Sequence, residues 1–194
     1  MKLKKVTAIL LTAVMTAALA ACGSSSGDSS GSSGDDAGGS GTYTIGICQQ
    51  MEHAALDAAT EGFQDACREL FGEDNVEFDV QNAQGEQTMC STIVNNFVSS
   101  DVDLILANAT LPLQTAAQAT SDIPILGTSV TDYGSALGID DWTGATGVNI
   151  SGTSDLAPIE EQEDMLLELV PEAQRVGIQY CSAESNCKYQ AELF

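Results

Sequence analysis

The chain has 194 residues, 28 of them acidic against six basic, and a formal net charge of −22. Lys2, Lys4 and Lys5 are three of the six basic residues, so the remainder carries only Arg68, Arg175 and Lys188. Such a surface excludes nucleic acid and anionic headgroups as partners, and one histidine among six cysteines with no Cys-x-x-Cys spacing gives no usual zinc set.

The N-terminus reads as an export signal, residues 1–21. Lys2 to Lys5 supply the positive region and Val6 to Ala18 an apolar segment too short to span a bilayer comfortably. Leu19-Ala20-Ala21-Cys22 resembles the lipobox of bacterial lipoproteins. That resemblance implies cleavage before Cys22, acylation of its sulfur and a lipid anchor in the cell membrane, on its extracytoplasmic face. Each buried acyl methylene contributes about 0.8 kcal/mol. Residues 22–41 are nearly all Gly, Ser and Asp and cannot bury a core, so they read as a flexible tether.

The folded part opens with Tyr43–Cys48, a short β-branched strand, then a polar turn, Gln49 to His53, then an amphipathic helix. Leu56, Ala59, Phe63, Ala66, Cys67 and Leu70 form the helix's apolar face, and Asp57, Glu61, Asp65 and Glu69 a solvated one. A strand follows at Val76–Val80, a polar turn through Asn82 and Gln84, and a helix from Glu86 to Ser100 with Met89, Cys90, Ile93, Val94 and Phe97 apolar. Val102–Ala107 is a continuous apolar run, as in a central parallel strand. Pro112 opens a short helix to Thr120. Ile123–Gly127 is the fourth strand. Tyr133 to Trp142 reads as irregular, and Gly147–Ile150 as a short strand. Ser154 or Asp155 then caps a helix to Val170, whose apolar residues are Leu156, Ile159, Met165, Leu166 and Leu169. Arg175–Tyr180 reads as a strand and Asn186 to Phe194 as the start of a helix.

Strands and helices alternating at this spacing predict an α/β fold with a parallel sheet covered on both faces. The last strand and short helix have nothing to pack on within the sequence. The chain therefore reads as truncated: a first α/β lobe over 42–154 and the start of a similar second lobe over 155–194. Cys67 and Cys90 lie on apolar helix faces and read as small core residues. Cys181 and Cys187 flank a turn and are a candidate disulfide in an exported chain.

The segments IGICQQMEHAALDAATEGF, QNAQGEQ, DLILANATLPLQTAAQAT, IPILGTSVTD, GVNISGTSD and VGIQYCSAESN, in that order, resemble the extracytoplasmic solute-binding proteins of ABC transporters, in the group for tryptophan, tyrosine or phenylalanine uptake. The resemblance implies a type I periplasmic-binding-protein fold: two flavodoxin-like lobes with ligand between them. It also implies a monomer that hands its solute to a membrane permease, without catalysis or cofactor. Ala54 stands where the family usually has proline, and Pro112 sits one place later than usual.

In a doubly wound lobe, ligand lies beyond the carboxyl ends of the strands. The polar residues there are Gln49, Glu52, His53, Asn82, Thr110, Gln114, Thr131 and Asp132. Ser154 and Asp155 lie at the lobe crossover, and Glu184 and Asn186 in the second lobe. A free amino acid needs an acceptor for its ammonium, for which Glu52, Asp132 and Asp155 are candidates. Its carboxylate needs donors, for which helix N-termini with Thr110 or Asn186 are suited. Ser154, Asp155 and Asp132 also suit plain capping or turn roles, Asn82 a turn, and His53 a satisfied loop position. The alternatives are a sensing module with the same binding chemistry, a binder of sugar or another small solute, or an exported enzyme. The last is disfavoured by the lack of a Gly-x-Ser-x-Gly elbow, a P-loop or a full dinucleotide motif.

Overall fold

A computed structural model describes residues 41–194. The signal segment, Cys22 and the tether up to Ser40 lie outside the described residues. The elements in order are β1 (Tyr43–Gln49), α1 (Ala54–Phe71), a 3-10 turn (Glu73–Asn75), β2 (Val76–Asn82), α2 (Gln87–Ser99), β3 (Leu104–Asn108), α3 (Thr110–Ala119), β4 (Ile125–Val130), α4 (Tyr133–Leu137), β5 (Ile150–Ser154), α5 (Ile159–Leu169) and α6 (Ser185–Leu193).

The five strands form one parallel sheet in the order β2-β1-β3-β4-β5. The chain leaves β1 for β2 on one side and then returns past it to β3. This is the flavodoxin-like order, with its switch point between β1 and β3.

Strand alternation sends successive side chains to opposite faces. Ile45, Ile47 and Leu106 meet Phe63 and Cys67 of α1. Cys48, Ile105, Ala107 and Ile125 meet Cys90, Val94 and Phe97 of α2 and Leu113 and Ala116 of α3. Burying each large apolar side chain here stabilises the fold by about 1.5–3 kcal/mol. Gly46 is the seat of Phe97: a Cβ there would stand 2.6 Å from the ring's Cγ.

The apolar stripe of α1 runs true as far as Cys67. Beyond it Phe71 is exposed, its ring lying 5.1 Å from that of Tyr43. Ala66 and Leu70, expected inside, are exposed, Leu70 at 75%.

Several boundaries move for identifiable reasons. The fourth strand starts at Ile125, not Ile123, because Pro124 has no N–H to pair; it runs on to Val130. The strand expected at 147–150 is displaced to Ile150–Ser154, since Gly147 turns at φ +69°. Residues 133–137, expected to be irregular, are helical. Asp132 Oδ2 caps them by accepting from Ser135 N at 2.6 Å, and Gly138 ends them in the left-handed region at φ +64°.

Neither Ser154 nor Asp155 caps α5. Ser154 ends β5 and donates its hydroxyl to Thr131 O (2.7 Å), and Pro158 holds the chain extended until Ile159. Arg175–Tyr180 is not a strand. It has no ladder partner among the described residues, and Val176 and Ile178 are 52% and 47% exposed. Cys181 and Cys187, the candidate disulfide, are free thiols.

Candidate functional site

The carboxyl ends of β1 and β3 lie side by side, Gln49 opposite Asn108. Their side chains point to the α1 face and close a polar network. Thr60 Oγ1 donates to Gln49 Oε1 (2.7 Å), Gln49 Nε2 to Asp57 Oδ1 (2.6 Å), and Asn108 Nδ2 to Thr60 Oγ1 (2.9 Å) and Leu56 O (2.8 Å). Gln49 is therefore committed to the interior, and the next residue, Gln50, emerges on the other side of the sheet. Backbone bonds fix the Gln50 turn against its neighbours: Gln50 N donates to Asn108 O (3.2 Å) and Gly85 N to Gln50 O (2.8 Å).

After β3 the chain turns through Ala109 at φ +107°, a conformation that costs a side-chain-bearing residue strain. The turn aims the start of α3 across the sheet end. α3 has no side-chain cap. Its leading N–H groups, Thr110 and Leu111, are the ones a helix leaves without internal partners, and Pro112 brings none. The Thr110 hydroxyl is buried and makes no hydrogen bond, as is Asn108 Oδ1.

Here a cavity of about 240 Å³ opens, lined by Gln50, Gly85, Gln87, Thr110, Leu111 and Gln114 from the sheet lobe and by residues 181 and 183–186 from the segment entering α6. Three helix starts border it: Gln87 of α2, Thr110 of α3 and Ser185 of α6, none with a side-chain cap. Their partial positive ends favour an anion. Glu184 is the single charged residue in the lining. Gln50 Nε2 donates to its Oε1 (3.3 Å) and Cys187 Sγ to its Oε2 (3.3 Å). Burial, and next the bond to Glu184, push the Cys187 thiol up, so it serves as a neutral donor. Gln114 Nε2 donates both to Ala136 O (2.9 Å) and across the cavity to Ser185 Oγ (3.3 Å).

Of the residues named from the sequence, Thr110, Gln114, Glu184 and Asn186 meet at this cavity. The others lie elsewhere. Glu52 is exposed. His53 caps α1, its Nδ1 accepting from Ala55 N at 3.2 Å. Asn82 makes a turn, Oδ1 accepting from Gln84 N at 2.8 Å. Thr131 is buried beside Ser154, Asp132 caps α4, and Asp155 donates its N–H to Val130 O (3.0 Å). Gln50, Gln87 and Ser185 line the cavity without having been singled out. Period-2 alternation along β1 is the signal that places Gln50 on the opposite face of the sheet from Gln49.

Larger cavities lie elsewhere: one of about 460 Å³, on the α1 side of the sheet end, is lined by Gln49, Asp57, Thr60, Glu61 and Asn82, and two more differ in kind. One of about 450 Å³ runs along β5 beside Tyr133, Trp142 and the glycine-bearing loop 144–147, and holds no charged group. Burial, and then Asp155, push the Tyr133 hydroxyl up to about 12. The other, about 610 Å³, is an apolar groove between α5, residues 176–180 and α6. Neither sits at the sheet's switch point, where open α/β sheets bind ligand.

A flavodoxin-like sheet with a polar cavity at its switch point is the arrangement in which open α/β sheets bind ligand. The family model for the ABC transporter substrate binding protein matches residues 44–194, and the chain belongs to that family. It is 39% identical over 150 residues to a tyrosine-binding protein of Clostridioides difficile (strain R20291), which covers 76% of this chain and 43% of the relative. Among solved structures it resembles an ABC domain in complex with L-Trp from Streptococcus pneumonia, at 32% identity and TM-score 0.73, over 79% of this chain and 52% of that one. It also resembles a ligand-free, open substrate-binding protein with adhesive properties from Clostridium difficile, at 37% identity and TM-score 0.63, over 78% and 52%. The chain spans about half the length of these relatives.

Proposed function

We propose that this protein is the solute-capturing component of an ABC importer and that its ligand is a zwitterionic amino acid, aromatic in the first instance. The observation that carries the reading is the convergence of three uncapped helix starts and one carboxylate on a single cavity. The helix ends, with the unpaired Thr110 hydroxyl, suit an α-carboxylate; Glu184 suits an α-ammonium. The relatives named for tyrosine and bound to L-Trp favour an aromatic side chain over sugar. Family membership supports an extracytoplasmic site of action and a membrane permease as partner, with no reaction catalysed. In this reading residues 1–21 are the signal, Cys22 the lipid anchor, 22–41 the tether, 42–154 the first lobe and 155–194 part of the second, and the protein works as a monomer.

The test is calorimetric titration of the protein with the twenty amino acids and a sugar panel. Tryptophan, tyrosine or phenylalanine is expected to bind, Thr110→Val and Glu184→Gln each weakening binding about tenfold or more, the size of one lost charge-assisted hydrogen bond. Binding of a sugar alone, or unchanged affinity in both variants, would sink the reading.

A further inference from the structure

We propose that Cys48 and Cys90 are a disulfide-forming pair, a covalent staple between the central strand β1 and helix α2. Their sulfurs stand 3.6 Å apart, and both residues are completely buried. A disulfide needs about 2.05 Å, so an approach of roughly 1.5 Å, within reach of side-chain rotation, closes the bond. Among the described residues no other thiol competes from nearby: Cys67 lies on the α1 face of the sheet, Cys181 lines the cavity, and Cys187 is held by Glu184. The two cysteines are 42 residues apart, and the closed loop would contain all of α1 and all of β2. Gln50 follows Cys48 by two residues and Gln87 precedes Cys90 by three, so the staple fastens two walls of the cavity to each other.

The chemistry is thiol–disulfide exchange with an external disulfide donor. The Cys90 thiolate attacks one donor sulfur and expels the other as a thiolate, giving a mixed disulfide. The Cys48 thiol then loses its proton and attacks the Cys90 sulfur, expelling the second donor thiolate. Two protons and two electrons leave the pair, and the donor's S–S bond is reduced to two thiols. The hydrogen bond from Cys48 lowers the Cys90 thiol, which makes Cys90 the first nucleophile. Complete burial means that the donor reaches the pair as the chain folds or in a transient opening.

The experiment refolds the full protein with oxidised glutathione, alkylates it under denaturing conditions, and maps the peptides by mass spectrometry. A linked peptide joining Cys48 to Cys90 is expected. With it goes a melting midpoint about 10 °C higher, reversed by dithiothreitol. Cys48→Val and Cys90→Val should each abolish the linked peptide and the redox-dependent shift. Alkylation of both wild-type thiols after oxidation would overturn the proposal, as would a link to any other cysteine. Peptide mapping of the wild type decides the matter even where a variant fails to fold.

Discussion

Residues 43–154 and 155–194 carry the same kind of sequence and meet different fates. In the first stretch, amphipathic helices find a sheet: Phe97, Val94 and Leu113 are at most 1% exposed. In the second, α5 has an equally apolar stripe, yet Met165 and Leu169 are 55% and 72% exposed. The segment after it has strand-like composition and no ladder. An amphipathic pattern specifies that a face exists; only a partner element turns it into burial.

That contrast can be broken by substitution. Phe97→Ala removes a fully buried ring over Gly46 and should cost about 3–5 kcal/mol in chemical denaturation. An equal cost for Leu169→Ala, which should stay within about 0.5 kcal/mol, would erase the contrast between the regions. Gly46→Ala sharpens the point. A methyl group against the Phe97 ring should cost about 1–3 kcal/mol by overpacking, and Phe97→Leu should recover part of it by making room.

The smallest effect is one of pH. The Tyr133 hydroxyl is held up to about 12, against about 10 when exposed. Above pH 10 the unfolded chain therefore gives up this proton more readily than the folded one. The stability from Tyr133 is complete below pH 10 and lost as pH rises toward 12, about 1 kcal/mol being gone by pH 11. Denaturation curves of wild type and Tyr133→Phe at pH 8 and 11 should diverge by that amount; parallel loss in both would remove Tyr133 from the account.

The sheet lobe was legible because its signals are local and repeated. The run at 102–107, the proline at 112 and the helix faces all place their elements within a few residues. The α4 helix was also encoded, by Asp132 and Gly138, but a one-and-a-half-turn helix is easily lost among turn residues. β4 and β5 shifted because hydrogen-bond pairing, and not apolar content, decides where a ladder starts. At the sheet end, residue type picked out the loops and side-chain direction decides which of their residues reach the cavity. Gln49 and His53 are polar, sit after β1 and still face away from the cavity: one is held by Thr60 and Asp57, the other by its own helix. Glu184 and Asn186 line the cavity with Thr110, but that meeting depends on a segment more than 70 residues away, a proximity that no local pattern contains.

The polar row at the end of the sheet has a consequence for how the strands align. Gln49 pairs with Asn108 and Asn108 with Thr128, across three adjacent strands. A slip of one residue along β1 or β3 would turn Gln49 or Asn108 to the opposite face, away from Thr60, Asp57 and Leu56 O, the partners that now satisfy them. Each stranded amide would cost about 1–3 kcal/mol. The apolar residues of these strands would accept either frame with little complaint, since both sides of the sheet are greasy. The polar row is what makes one alignment correct and its neighbours wrong, and so it fixes where every loop at that end of the lobe begins.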